Sequence, residues 1–75
     1  MSDWVLYHTD GCHLCEIAQS HLSKVNVQYR LKDICDEQAL VDKYGICIPV
    51  FANQAGDKEL FWPFDLQQLQ QFLEQ

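Results

Sequence analysis

The sequence predicts an α/β domain, a mixed sheet of three or four strands flanked by helices, with elements in the order βαβαββα. Three observations carry this reading. A short apolar run, Trp4-Val5-Leu6-Tyr7, precedes Leu14, Ile17, Ala18, His21, Leu22 and Val25 at helical spacing, so a buried strand passes into an amphipathic helix. A period of two follows between Val25 and Lys32. Near the C-terminus, Asp65 with Gln68 three residues on forms a capping-box pattern ahead of Leu66, Leu69, Phe72 and Leu73.

Trp4 to Tyr7, apolar throughout, reads as a strand buried on both faces. The first helix is expected from about Cys12 to Lys24. Val25, Val27, Tyr29 and Leu31 alternate with Asn26, Gln28, Arg30 and Lys32, giving a half-exposed strand whose two cations suit a sheet edge. Asp36 can cap a short helix that runs through Tyr44, with Leu40 and Tyr44 inward and Gly45 as its stop. Ile46-Cys47-Ile48-Pro49-Val50-Phe51 reads as an apolar strand with a proline near its start. Asn53 to Asp57, containing Gly56, is the turn of a hairpin whose return strand is Lys58 to Phe61. Phe64 and Leu69 bracket the last helix start as a hydrophobic staple. The first half then makes a right-handed parallel βαβ unit and the second an antiparallel hairpin with a helix.

Seventy-five residues make a single domain, 1–75, with a core of modest size. The hydrophobic share of 48% against 21% charged places the chain with globular rather than disordered sequences. Its net charge of −6, with the five basic residues scattered, argues against nucleic acid and anionic membrane as partners. No apolar run reaches the ~18 residues of a spanning helix, and the N-terminus has no basic n-region, so the expected location is the cytoplasm and the expected state a monomer. Thiols are kept reduced there, which makes four cysteines catalytic, metal-binding or plainly buried before structural disulfides.

The chemistry is concentrated in Gly11-Cys12-His13-Leu14-Cys15, where the first strand turns into the first helix. A first helical turn has unpaired N–H groups and a partial positive charge, and both stabilise a thiolate. Cys12 and Cys15 lie about one turn apart, within reach of a disulfide. Cys12 falls at the exposed tip, while Cys15 lines up with Ala18 and Leu22 on the buried side. An accessible attacker beside a sheltered resolver is the arrangement for thiol–disulfide exchange.

The order of elements, the Cys12-His13-Leu14-Cys15 motif after the first strand and Ile48-Pro49 at the third resemble the thioredoxin fold, which implies three layers with a mixed four-stranded sheet between helices. More narrowly, the chain resembles the short glutaredoxin-like proteins of bacteria, on Leu6-Tyr7-His8, Gly11 to Glu16, Tyr44-Gly45, Ile48-Pro49-Val50 and Trp62-Pro63-Phe64-Asp65. The resemblance implies that Cys12 is the nucleophile and Cys15 the resolving cysteine. It implies that Pro49 is cis and lies beside the nucleophile, and that the backbone of Ile48 pairs with an extended thiol substrate. It matches the Asp65-capped start of the last helix to the region where glutaredoxins bind a glutathione carboxylate. Two departures bear on glutathione. Thr9 stands where glutaredoxins usually carry a basic residue, and Phe61-Trp62-Pro63 stands where they carry paired glycines. No Lys or Arg occurs between Met1 and Leu22 either. Glutathione is therefore a doubtful substrate, no other cofactor is expected, and a disulfide-bearing protein or another small thiol is the expected partner.

Other residues invite plainer readings. Zinc needs a second ligand pair, and Cys35 and Cys47, with eleven residues between them, lack that spacing, so no metal is expected. Both read as small buried hydrophobes, with Cys47, two residues before Pro49, the one that also admits a redox role. His13 favours the Cys12 thiolate when protonated, while Asp10 and the net charge oppose it. His8 and His21 read as structural, and Trp62 as a packed corner able to shape what docks beside it. Two functions remain open: a dithiol–disulfide oxidoreductase, and a non-catalytic thiol-binding module such as a metal or cluster carrier. Cys15 argues for the first, since a carrier has no need of a resolver.

Overall fold

In the computed structural model, which describes residues 3–74, the elements follow the expected order. They are β1 (Trp4–His8), α1 (His13–Lys24), β2 (Arg30–Asp33), a 3-10 turn (Ile34–Asp36), α2 (Gln38–Tyr44), β3 (Val50–Asn53), β4 (Glu59–Phe61) and α3 (Leu66–Glu74). The sheet order is β2-β1-β3-β4, with β1 and β2 parallel and the other pairs antiparallel. Leu6 and Phe51 are register partners on one face, where they meet Ala18, Leu22, Phe64, Leu69 and Phe72 from α1, α3 and the segment between β4 and α3. Tyr7 and Val50, the next pair, face the other way onto Ile34, Tyr44, Leu40 and Val41. The sheet is thus covered on both faces, as the unbroken apolar character of β1 requires. No described helix is long and apolar enough to cross a membrane.

Three boundaries differ from expectation. The Val25–Lys32 alternation does not make one strand: Asn26 adopts a left-handed conformation (φ 60°) that ends α1, and only Arg30–Asp33 pairs with β1. Val25, Val27 and Tyr29 still pack on the core from the connecting segment, so their period of two reports burial rather than pairing. Leu31, expected inward, is half exposed on the sheet edge. Asp36 does not cap α2, because Asp33 caps a 3-10 turn that contains it and the cap position of α2 passes to Glu37. Residues 46–48 do not join β3. Cys47 N–H donates to the Tyr44 carbonyl at 2.7 Å, folding 45–47 into a turn that leaves Ile46 fully exposed.

Two local devices match their sequence signatures. In the β3–β4 turn the Asn53 side-chain oxygen accepts from the N–H groups of Gly56 and Lys58, and Gly56 supplies the positive φ (82°). At α3, Gln68 N–H donates to Asp65 Oδ1 (2.8 Å) and Asp65 N–H donates to Gln68 Oε1 (3.0 Å), a complete capping box. Phe64 and Leu69 are both buried in the same cluster beside it. Asp65→Ala is expected to cost about 1 kcal/mol, read as a lower urea midpoint with an unchanged slope.

α2 is tied to β4 by a polar clasp. The buried Tyr44 hydroxyl donates to Glu59, Lys43 Nζ lies 3.4 Å from Glu59 Oε2, and the Lys43 ammonium sits 5.0 Å above the Tyr44 ring. Burial first, then the Glu59 carboxylate, pushes the Tyr44 phenol above its usual value, and burial does the same to Tyr29. A raised folded-state value stabilises the fold below the unfolded value of about 10 and is lost as pH climbs through the folded one. The thermal midpoint is therefore expected to fall above about pH 10, and Tyr44→Phe to flatten that fall in part, with Tyr29 keeping the rest.

Candidate functional site

The sheet register assembles the site. His8 is opposite Asp33 at the end of β2. Tyr7 is opposite Val50 and Val50 opposite Phe61, which carries Pro49 and Trp62 past the same edge, where Trp62 N–H donates to the Pro49 carbonyl at 3.2 Å. The loop leading to Cys12, the residues after β2, the approach to β3 and the exit from β4 therefore share one end of the sheet.

Gly11 sets the thiol in place. Its φ of 78° turns the chain out of β1, a conformation that glycine adopts without strain, and an added Cβ there meets nothing within 4 Å. Cys12 follows in an extended conformation (φ −87°, ψ 104°) as the N-cap of α1, and its Sγ accepts the Cys15 N–H at 3.2 Å. A sulfur thus takes the place of the usual cap oxygen, with an orphan helical amide directed at it. The same amide strengthens its bond when Cys12 is a thiolate, since charge-assisted hydrogen bonds are about twice as strong. Cys12 is partly exposed and Cys15 is 1% exposed among the core residues of α1. The two are joined as a disulfide with Cα atoms 5.2 Å apart.

The remaining predicted residues take varied positions. Ile48–Pro49 is a cis peptide, as expected, and so is Trp62–Pro63, which was not foreseen. Pro49 is buried, and the Ile48 side chain turns inward against the Ile34–Tyr44–Val50 cluster. His13 is exposed, its Nδ1 3.4 Å from Glu16 Oε2. The Trp62 ring stacks on His21 (6.2 Å, 19°) and meets Phe64 edge-on (5.1 Å), so it is a packed corner of the core. His21 Nδ1 is buried against this corner with no hydrogen-bond partner among the described residues. The Asp65 carboxylate is engaged in its own capping box, which puts a negative charge where a substrate carboxylate was expected.

Cys35 and Cys47 differ from expectation. Both are exposed free thiols, not buried hydrophobes. Cys47 lies in the turn after α2 rather than in β3, and Cys35 in the 3-10 turn, where side chains on the outer side face solvent. Cys35 Sγ is 3.3 Å from Thr9 Oγ1 on the loop that leads to Cys12, and its N–H donates to Asp33 Oδ1 at 2.9 Å. That backbone bond, foremost, holds the Asp33 carboxyl below its usual value. The parallel βαβ pattern held the missed signal, because residues just past the carboxyl ends of neighbouring parallel strands converge.

Among known families, the glutaredoxin-like domain (DUF836) matches residues 4–74. The crystal structure of a structural-genomics target protein, XcR50 from X. campestris, is similar, with a TM-score of 0.87 and 36% identity over 95% of each chain. The solution structure of XcR50 gives a TM-score of 0.81 over 99% of this chain and 94% of that one, at 36% identity. The solution structure of protein Ne2328 from Nitrosomonas europaea gives 0.78 at 25% identity, over 93% of this chain and 88% of that one. No curated protein matches the chain. With the disulfide-linked pair at the helix tip, these likenesses point to redox-related thiol chemistry.

Proposed function

Because the chain belongs to the glutaredoxin-like domain family, we propose that it is a dithiol–disulfide oxidoreductase that acts on protein disulfides in preference to glutathione mixed disulfides. The observation that carries this reading is the linked pair itself: Cys12 at the amide-rich tip of α1, with a buried Cys15 bonded to it. In the reduced protein the Cys12 thiolate attacks one sulfur of a substrate disulfide. That bond breaks, a Cys12–substrate disulfide forms, and the departing thiolate takes up a proton. The Cys15 sulfur, its proton given up to solvent, then attacks Cys12 Sγ and releases the second substrate sulfur, which is protonated in turn. Two electrons and two protons pass to the substrate, and an external thiol reductant restores the pair.

The preference for proteins follows from what surrounds the pair. Glutathione brings two carboxylates. Here Thr9 offers no charge, Asp10 repels, Asp65 occupies its own helix start, and the bulky Phe61-Trp62-Pro63 stands in place of the small residues that let a backbone come close. One lost charge-assisted contact costs about 1.5–3 kcal/mol, so two weaken glutathione binding by roughly two to four orders of magnitude. Cys15 makes a second glutathione unnecessary, because it resolves the mixed disulfide internally. The test compares turnover of a glutathione mixed disulfide with reduction of a protein disulfide in one preparation. Slow glutathione turnover beside efficient protein reduction is expected; glutathione turnover that is equally fast and persists at high salt overturns the preference.

A further inference from the structure

The same reading of Cys12 and Cys15 as an exchanging pair, together with the charge distribution, specifies the partner more closely. The sheet end that bears Cys12 gathers Asp10 in the loop, Glu16 in the first turn of α1, Asp33, Asp36 and Glu37 on and after β2, and Asp65 at the head of α3. Lys32 is the one described Lys or Arg set among these six carboxylates, and its Nζ is 3.4 Å from Glu37 Oε1. Lys24 is in the last turn of α1, Arg30 is opposite Val5, Lys43 leans on Glu59, and Lys58 lies at the hairpin turn. Asp33 is held in its charged form by the Cys35 N–H. Within this negative field stands an apolar contact surface: Leu14, 44% exposed, two residues after Cys12 in the same helical turn.

We infer that the partner is a protein segment that carries its disulfide amid Lys and Arg side chains, with an apolar residue beside it to cover Leu14. A negative potential concentrated at a reacting thiol raises the encounter rate with cations and lowers it with anions, by roughly 10 to 10³-fold. Small anionic thiols are repelled by the same field. The discrimination is electrostatic and solvent-exposed, so salt abolishes it, the screening length shrinking from about 10 Å at 0.1 M to about 3 Å at 1 M.

The experiment uses the reduced full-length protein in single turnover, so that no other reductant enters. Three synthetic peptides share one intramolecular disulfide and one adjacent leucine, and differ only in flanks of lysine, glutamate or serine. Each reaction converts the protein dithiol to its disulfide and the peptide disulfide to a dithiol, followed by acid quench, alkylation and mass spectrometry. At about 0.02 M salt the lysine peptide is expected to react at least ~10-fold faster than the glutamate peptide, with the gap closing towards 1 M. Asp10→Asn with Glu16→Gln is expected to narrow the gap between the lysine and glutamate peptides, each rate taken relative to that of the serine peptide with the same variant. Equal rates for the lysine and glutamate peptides, with the serine peptide reduced, overturn the partner assignment alone. If none of the three is reduced, the exchange reading falls and the partner assignment with it.

Discussion

Cys12→Ser is expected to abolish disulfide exchange, while Cys15→Ser leaves an attacking thiol that stalls as a mixed disulfide. A serine hydroxyl at Cys12 keeps the N-cap hydrogen bond to Cys15 N–H but supplies no thiolate, so the helix survives and the chemistry does not. The rate should fall to background, on the order of 10³-fold or more. Cys15 is buried behind the tip and reaches little beyond Cys12, so its loss removes resolution but spares attack. Trapping with a protein disulfide should yield a stable covalent complex with Cys15→Ser and none with Cys12→Ser. Alkylation against pH gives the companion result. One fast thiol should titrate below the free value of about 8.5, lost in Cys12→Ser and kept in Cys15→Ser. Because Cys35 and Cys47 are exposed, the measurement belongs in a background where both are serine. If Cys15→Ser removes the fast phase instead, the two roles are exchanged.

Phe51→Ala is expected to have the largest effect on stability. The Phe51 ring is wholly buried, stacked on Trp4 at 5.1 Å, with Phe72 at 6.0 Å and Tyr29 edge-on at 6.4 Å. It joins the central strands to α3 and to the segment before β2, so no neighbour can move to fill its place without breaking another contact. Truncation of such a residue costs about 3–5 kcal/mol, against a total of about 4–11 kcal/mol for a domain of this length. The variant is expected to be partly or wholly unfolded at 37 °C, read from the urea midpoint and near-ultraviolet dichroism. Phe61→Ala, half exposed on β4, is the control and should cost far less. A Phe51→Ala loss below about 1 kcal/mol would mean that this cluster is not the main core.

Elements fixed by short-range chemistry were legible in the sequence. The capping box at Asp65 and Gln68, the Gly56 turn and the helical stripe through Ala18 and Leu22 (though not its first member Leu14, which is exposed) each depend on residues a few positions apart. So did the site's centre, since a cysteine at a strand–helix junction is placed by local pattern alone. What was not legible depended on which chain segments meet. The Val25–Lys32 alternation recorded a buried side without revealing that Asn26 diverts the backbone before pairing begins. Ile46 and Cys47 looked like strand because they are apolar, yet the Tyr44–Cys47 hydrogen bond holds them in a turn. Cys35 reaches Thr9 only because β2 lies parallel to β1 in that register.

The margins of the sheet bear on self-association. β4 is three residues long and offers little length for a further strand. β2, four residues at the opposite margin, is the more hazardous, because Leu31 stands half exposed on it, as an adhesive strand edge requires. Arg30 and Lys32 flank that leucine. A strand added there must strip water from both cations, and a second copy aligned in register sets like charges against each other. Such charges act as gatekeepers of an apolar edge. At this margin, the charges on Arg30 and Lys32 thus oppose the pairing that Leu31 would favour.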